Sequence, residues 1–268
     1  MGCNKEMKMS NIGWGIVTGA SSGIGKELAR IHASKGGDVI LVARRGDELV
    51  KLSEELRENY NVETRVIEVD LNRPHAAQEI VDQISNQGLE IDFLFNNAGV
   101  GGYGLFHERS ISSELDMIQL NISALVELTH LILPQMIKRR KGRILNTSST
   151  AGYVPGPYMA NYYATKAYVN SFSLALSEEV REYGITVTAL CPGPVNTGFE
   201  ATAGMSGSGL FAMADTAKAT AEKGYKAMMK GRLQKITFPS FAFMLKVFVP
   251  FTPNRIILRV IQKIQKVK

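Results

Sequence analysis

The sequence predicts a doubly wound α/β fold, a single parallel sheet with helices on both faces, from three observations. Short runs rich in Val, Ile and Leu recur at 14–17, 38–43, 63–69, 91–95 and 185–190, with another ending at Ser148-Ser149. Helical periodicity fills the intervals between them. The runs are continuously apolar instead of alternating, as expected for strands covered on both faces. With 268 residues, 45% of them apolar and 21% charged, the chain can bury the core of one large soluble domain.

The first run leads directly into Thr18-Gly19-Ala20-Ser21-Ser22-Gly23-Ile24-Gly25, and helical periodicity then continues to Lys35. Strand, glycine turn and helix N-terminus make a cradle for a pyrophosphate, because backbone N–H groups face the anion and no Cβ blocks its approach. The spacing is Gly-x-x-x-Gly-x-Gly. The same residues also match Gly-x-Ser-x-Gly, the nucleophile elbow of hydrolases. An elbow needs earlier strands and an upstream oxyanion loop, and only about one strand's worth of chain precedes Gly19.

Residues 38–43 end at Arg44-Arg45. An acid near this strand end would bond the adenosine ribose, whereas an arginine accommodates a 2′-phosphate. Ala43 and Arg44 therefore favour NADP(H) over NAD(H), the alternative being arginines simply solvated at a strand end. A charged amphipathic helix follows at 47–60, then the strand 63–69, closed by Asp70. The helix 74–87 presents Ile80, Val81 and Ile84 on one face. The strand 91–95 runs into Asn96-Asn97-Ala98-Gly99.

A long helix is expected over 117–137, interrupted by Asn121, whose amide must find hydrogen-bond partners if it is buried. The run Lys138-Arg139-Arg140-Lys141-Gly142-Arg143 reads as cations at a helix C-terminus before a glycine stop, not as a nucleic-acid site. Beyond Ser149, Gly152, Pro155, Gly156 and Pro157 force a loop, and helical periodicity resumes near Tyr158. Tyr162 and Lys166 then lie one turn apart on one face. A free phenol, with a pKa of about 10, shuttles protons poorly at neutral pH, and an ammonium beside it is expected to lower that value. Ser149 could bond the same reacting oxygen. After the strand 185–190, Cys191-Pro192-Gly193-Pro194-Val195-Asn196-Thr197 forms a rigid turn where open α/β sheets bind ligands. Residues 198–208, rich in Gly, Ala, Ser and Thr, are expected to form a mobile substrate-side loop.

Two cysteines, Cys3 and Cys191, suggest neither a disulfide framework nor a zinc site, and a reducing, cytoplasmic setting fits. No signal-peptide or myristoylation pattern opens the chain. His32, His75, His107 and His130 lack metal-ligand spacing, so no metal is expected. The net charge of +6 is unevenly placed, since eleven of the 31 basic residues and none of the 25 acidic ones follow Glu222. The acidic body excludes nucleic acid as a partner, and the basic tail has a separate role. Within that tail, Pro239, Lys246 and Pro250 break the apolar run 236–251, too short for a spanning helix. Pro253 then opens a helix with Ile256, Ile257, Val260, Ile261 and Ile264 on one face and Arg255, Arg259, Lys263 and Lys266 opposite. Such a helix packs on its own domain, against a partner subunit, or in a membrane interface. Two regions result: a catalytic domain over 10–235, including a substrate loop at 198–222, and a basic amphipathic extension over 236–268.

From Trp14 to about Tyr225 these motifs together resemble the short-chain dehydrogenase/reductase family, whose fold is Rossmann-like. The stretch Tyr158-Met159-Ala160, the Cys191-Pro192-Gly193-Pro194 turn and the basic tail are similar to a bacterial-type branch of broad-specificity hydroxysteroid and 3-oxoacyl reductases. The resemblance implies an NADP(H)-dependent oxidoreductase interconverting a carbonyl and a secondary alcohol of a lipophilic substrate. Catalysis would fall to Asn121, Ser149, Tyr162 and Lys166. Tyr162 would protonate the substrate oxygen, Ser149 hold it, Lys166 lower the Tyr162 pKa and bind ribose, and Asn121 hold a water. Gly19, Ser21, Ser22, Gly23, Ile24 and Gly25 would surround the pyrophosphate, Arg44 the 2′-phosphate, Asp70 the adenine and Asn97, with Ala98 and Gly99, the ribose. Pro192, Gly193, Val195 and Thr197 would lie against the nicotinamide. A homo-oligomer, dimer or tetramer, is expected, with peripheral membrane contact through the tail as an alternative role. A non-catalytic NADP(H)-binding regulator is the alternative function, since fold does not establish activity.

Overall fold

The computed structural model describes residues 12–205, 214–238 and 242–265. Cys3, residues 206–213 of the expected substrate loop, and Lys266 and Lys268 of the basic tail lie outside the described residues. The six expected strands form as β1 (Trp14–Thr18), β2 (Asp38–Ala43), β3 (Thr64–Glu68), β4 (Ile91–Asn96), β5 (Gly142–Thr147) and β6 (Ile185–Cys191). Two short strands, β7 (Val195–Asn196) and β8 (Asp215–Thr216), pair with each other outside the main sheet. A further strand, β9 (Gln234–Ile236), joins β6 in parallel and makes the sheet seven-stranded, in the order β3-β2-β1-β4-β5-β6-β9. Sequence reading misses β9 because three residues containing a glutamine and a lysine carry no apolar run. It spans the boundary expected between catalytic domain and tail.

Helices α1 (Gly23–Ser34), α2 (Gly46–Tyr60) and α8 (Ala217–Met229) cover one face; α3 (Ala76–Asn86), α5 (Ala124–Arg139) and α6 (Ala160–Glu179) cover the other. Along each strand the side chains alternate between these layers. Ile16, Ile40, Leu94 and Ile144 pack with Ile80, Leu128 and Ile132, while Val17, Leu41, Phe95 and Leu145 pack with Leu28, Leu52 and Tyr225. Burial on both sides is why these strands are continuously apolar. The strand order reverses between β1 and β4, and the crevice beyond their carboxyl ends is where such sheets bind ligands.

The long helix begins earlier than its apolar pattern suggests. Helix α4 (Ile111–Ile118) passes through a π-helical turn, Gln119–Ser123, into α5. By length and composition, the combined helix Ile111–Arg139 could cross a membrane. Its Leu128, Ile132 and Met136 are instead core residues against the sheet, which accounts for much of its apolarity. The cations that follow cap the helix, but Arg140, not a glycine, takes the left-handed conformation (φ 51°), and Gly142 begins β5. Arg139 and Lys141 both pair with the buried Asp92 and so tie this helix end to β4.

His32 sits wholly buried on α1, hydrogen-bonded through Nε2 to the Gly13 carbonyl and through Nδ1 to Tyr225 Oη. A carbonyl only accepts, so Nε2 carries the proton and Nδ1 accepts from the tyrosine, a neutral tautomer. Burial lowers its pKa to about 4. The unfolded chain takes up this proton near pH 6.5 and the native one only near 4, so stability falls as pH drops through that window. Acidification across it is expected to cost about 3 kcal/mol from this group. Denaturant melts of wild type and His32→Asn should therefore diverge in their pH slope between pH 6.5 and 4, and parallel slopes would refute the assignment.

Candidate active site

The glycine turn connects β1 to α1 with Gly19 and Gly23 at positive φ, 67° and 56°. A Cβ on Gly25 would lie 2.4 Å from the Gly19 carbonyl oxygen and 2.5 Å from Asn97 Nδ2. Only glycine closes the turn so tightly, which leaves the N-terminus of α1 open to an anion. Thr18 fixes the neighbouring loop: its Oγ1 accepts from the backbone N–H of Asn97 at 2.9 Å and of Ala98 at 3.0 Å. Asn97 Nδ2 in turn donates to the Thr18 carbonyl at 3.1 Å. Asn96 is buried below, donating to Thr129 Oγ1 and Asn146 Oδ1 and so joining β4 to β5 and α5.

Asn121 occupies the π-helical turn. Its amide closes a two-way bond with Val100, accepting from the N–H and donating to the carbonyl at 2.9 Å each, and also donates to Thr165 Oγ1 at 3.0 Å. A π-turn shifts one residue out of the regular ladder, and such turns are frequent at functional sites. Here it aims Asn121 at the loop after β4. Gly99 leaves room for this, since a Cβ there would lie 3.0 Å from Asn121 Oδ1 and 3.4 Å from Lys166 Nζ.

Ser149 lies two residues beyond β5, and α6 carries Tyr162 and Lys166 to meet it. Tyr162 is buried, 9% exposed, with Ser149 beside its phenol. Lys166 Nζ lies 5.8 Å from the centre of the Tyr162 ring and donates to the Thr147 carbonyl at 3.0 Å. Burial pushes the Tyr162 phenol up to about 12, against a smaller opposing effect of Ser149. Burial likewise pushes Lys166 down to about 8. The net shift is therefore up and not down as expected: both groups are removed from water, and desolvation of the phenol outweighs whatever Lys166 does to favour the phenolate. Near neutral pH the phenol is a protonated, pre-aimed acid.

These residues line one cavity of about 1140 Å³. It runs from Gly19, Ser21, Ser22, Gly23 and Ile24 past Arg44, Asp70, Asn97, Ala98 and Gly99 to Ser149, Tyr162 and Lys166, and on to Pro192, Gly193, Val195 and Thr197. Gly25 supports the turn from behind, and Asn121 holds the cavity wall through Val100. The glycine cradle and the open helix end fit the pyrophosphate of a dinucleotide, and Arg44 and Arg45 line the same cavity. Arg45, which sequence reasoning passes over in favour of Arg44, donates to Ser21 Oγ at 3.0 Å and so reaches the same place. Arg44 lies 4.0 Å from Asp70.

Two more contributors were not identified from sequence. Phe199, on the one-turn helix α7 (Phe199–Thr202), stacks obliquely on Tyr162 with ring centres 5.4 Å apart. The C-terminal helix α9 (Asn254–Gln265) folds back over the cavity, and all five residues of its expected apolar face, Ile256, Ile257, Val260, Ile261 and Ile264, line it. Ile257 is buried there, whereas Ile256, Val260 and Ile264 stay about half exposed, so part of this face remains uncovered by its own domain. Amphipathicity reveals that the face needs a partner, but not that the partner is a cavity wall.

The family model for short chain dehydrogenases matches residues 14–206. The human very-long-chain 3-oxoacyl-CoA reductase is 40% identical over 186 residues, 67% of this chain, and the matched part spans only 58% of that protein. Among solved structures, a short-chain dehydrogenase from Sphingobium yanoikuyae in complex with NADPH is 28% identical, with a TM-score of 0.82 over 90% of this chain and 93% of that one. A bulky-bulky ketone specific alcohol dehydrogenase from Comamonas testosteroni is also 28% identical, with a TM-score of 0.76 over 85% and 86% of the two chains.

Proposed function

The chain belongs to the short chain dehydrogenase family, and from that premise we propose that it reduces the carbonyl of a lipophilic substrate with NADPH, or oxidises the matching alcohol. One observation carries the reading: a single cavity begins at a phosphate cradle flanked by Arg44 and Arg45, passes Ser149, Tyr162 and Lys166, and ends against aliphatic side chains of the tail. The cofactor supplies the hydride when bound. Gly19, Ser21, Ser22, Gly23 and the N-terminus of α1 hold its pyrophosphate, Arg44 and Arg45 the 2′-phosphate, and Asp70 and Asn97 lie along the adenosine. Ser149 Oγ and Tyr162 Oη then point at one substrate oxygen. As negative charge develops there, Ser149 turns its hydroxyl proton from the Pro192 carbonyl, 3.4 Å away, to the substrate oxygen, and Tyr162 gives up its proton. Lys166 stabilises the phenolate left behind. The similarity to a 3-oxoacyl-CoA reductase and to a bulky-ketone dehydrogenase agrees with an apolar substrate arm.

The test is NADPH consumption, followed by absorbance, over long-chain 3-oxoacyl thioesters, steroids and aromatic ketones. Turnover of at least one class is expected. Tight NADPH binding with no turnover across the panel would instead favour the non-catalytic regulator.

The same reading assigns the tail a role in substrate binding. Removing residues 253–268 is expected to leave NADPH affinity within about twofold and to raise KM for the best lipophilic substrate by about tenfold or more, since burying even a few methylene groups is worth that much. An unchanged KM would remove α9 from the substrate site. We further infer that the tail rests on an anionic bilayer surface. Phe243, Phe248 and Phe251 are exposed, Phe251 by 87%, in a segment with no carboxylate after Glu222. Sedimentation with phosphatidylserine vesicles, but not phosphatidylcholine vesicles, is expected and should be lost on Phe248→Asp with Phe251→Asp. Self-association without vesicle binding would refute the bilayer reading and leave those side chains to a homo-oligomer contact.

A further inference from the structure

Within the aliphatic end of the cavity stands one polar side chain that the chemistry above does not use. Gln265, at the last turn of α9, is only 1% exposed and lines the cavity. Its Nε2 donates to Tyr163 Oη and lies 3.8 Å from Met159 Sδ. Its Oε1 is buried and has no hydrogen-bond partner. Leaving such an acceptor unsatisfied forfeits the hydrogen bond it makes in water, so it persists where a ligand completes it or where the loss is tolerated. The surroundings favour a ligand, because Gln265 is one of the residues that line the cavity, so its amide sits in the cavity wall and not deep in the sheet core. Met159 and Ile264, its neighbours there, offer no donor.

We propose that Gln265 is a specificity-determining residue that recognises a second polar group on the substrate, a hydroxyl or amide N–H placed along the lipophilic arm away from the reacting carbonyl. The inference rests on the reading that this cavity takes the substrate, and it narrows the class: a lipophile with two oxygen or nitrogen functions, one at Ser149 and Tyr162 and one at Gln265. Tyr163, directly after the reacting tyrosine on α6, positions the amide. Its ring stands edge-on to Tyr162 with centres 6.1 Å apart. The residue that positions the recognising amide and the proton donor are thus consecutive on one helix. A hydroxyl suits the site whichever way the amide is turned, since it both donates and accepts.

The experiment uses the full chain with NADPH and a series of 2-dodecanones, each with one hydroxyl at a successive position along the chain, against unsubstituted 2-dodecanone. Equilibrium binding is read by calorimetry and turnover by NADPH absorbance. At one position the hydroxyl is expected to tighten binding by about tenfold. In Gln265→Met that advantage should vanish while affinity for unsubstituted 2-dodecanone is kept or improved. Gln265→Glu, which retains an acceptor, should keep part of the advantage. NADPH affinity serves as the folding control for each variant. If no position gives an advantage, or if the advantage survives in Gln265→Met, the proposal is overturned. A loss of affinity in Gln265→Met equal for all ketones would also overturn it, by showing that Gln265 only holds α9 in place. Because binding is read without turnover, a position-specific advantage with no reduction of any ketone would fault the catalytic reading and leave this one standing.

Discussion

Replacing Tyr162 by Phe is expected to lower carbonyl reduction by about 10²- to 10⁴-fold, the range typical for loss of a positioned general acid, while NADPH still binds. Among the described residues, Ser149 is the hydroxyl beside the Tyr162 phenol, and its Oγ already accepts from Ala151 N–H and donates to the Pro192 carbonyl. It can hold the substrate oxygen, but an alcohol titrates far too high to replace the phenol as acid. Tyr163 cannot substitute either, since its hydroxyl is engaged by Gln265 on the tail side. The pH profile provides an independent check. Burial holds the Tyr162 phenol at about 12, so the acid remains protonated across the neutral range. Lys166, held near 8, loses its charge as pH rises through that value and with it the ability to stabilise the phenolate. Reductive kcat/KM should therefore fall above about pH 8, whereas alcohol oxidation, which needs the phenolate, should rise with pH. Full activity in Tyr162→Phe, or a reductive rate that climbs from pH 7 to 9, would sink the assigned roles.

How much of this was legible in the sequence depends on the kind of signal each part leaves. The main strands inward of the partly exposed edge strand β3, and the glycine turn, leave strong local ones, because largely apolar runs and a fixed glycine spacing follow directly from double-sided burial and close backbone approach. Tyr162, Lys166 and Ser149 could be placed together for the same reason: one helical turn and one strand end are short-range geometry. What failed was long-range or energetic. The π-turn around Asn121 changes no residue pattern, since it adds one residue to a helix and redirects a side chain. The apolar face of α9 was evident, but the cavity it lines is built from residues of α6 and earlier elements far off in the chain. The direction of the Tyr162 shift depends on how completely both titrating groups are withdrawn from water, and sequence spacing gives their separation without their solvation. Adjacent Arg44 and Arg45 are indistinguishable by residue type, and only the path of the backbone, which brings both to the cavity, shows that Arg45 reaches it too.

Arg44→Ala is expected to reduce the preference for NADPH over NADH by about tenfold, mostly by weakening NADPH. A hydrogen bond to a charged group is worth about 1.5–3 kcal/mol, which would allow a larger change. Arg44 is 63% exposed on its side chain, however, and water and salt screen such a contact, so the lower end applies. The nearby Asp70, 4.0 Å from its guanidinium, further offsets its charge. Screening carries its own signature: the preference should shrink as ionic strength rises from 0.02 to 0.5 M in the wild type and less so in Arg44→Ala. Arg45 is tethered to Ser21 in the phosphate turn, so its position is set before the nucleotide arrives. Arg45→Ala should therefore weaken both nucleotides through the turn as well as NADPH through the phosphate, and the double variant should bind NADPH and NADH nearly alike. Competitive fluorescence titration of the two nucleotides measures each constant. A double variant that keeps the full wild-type preference would show that neither arginine reads the 2′-phosphate and would return both to the solvated surface.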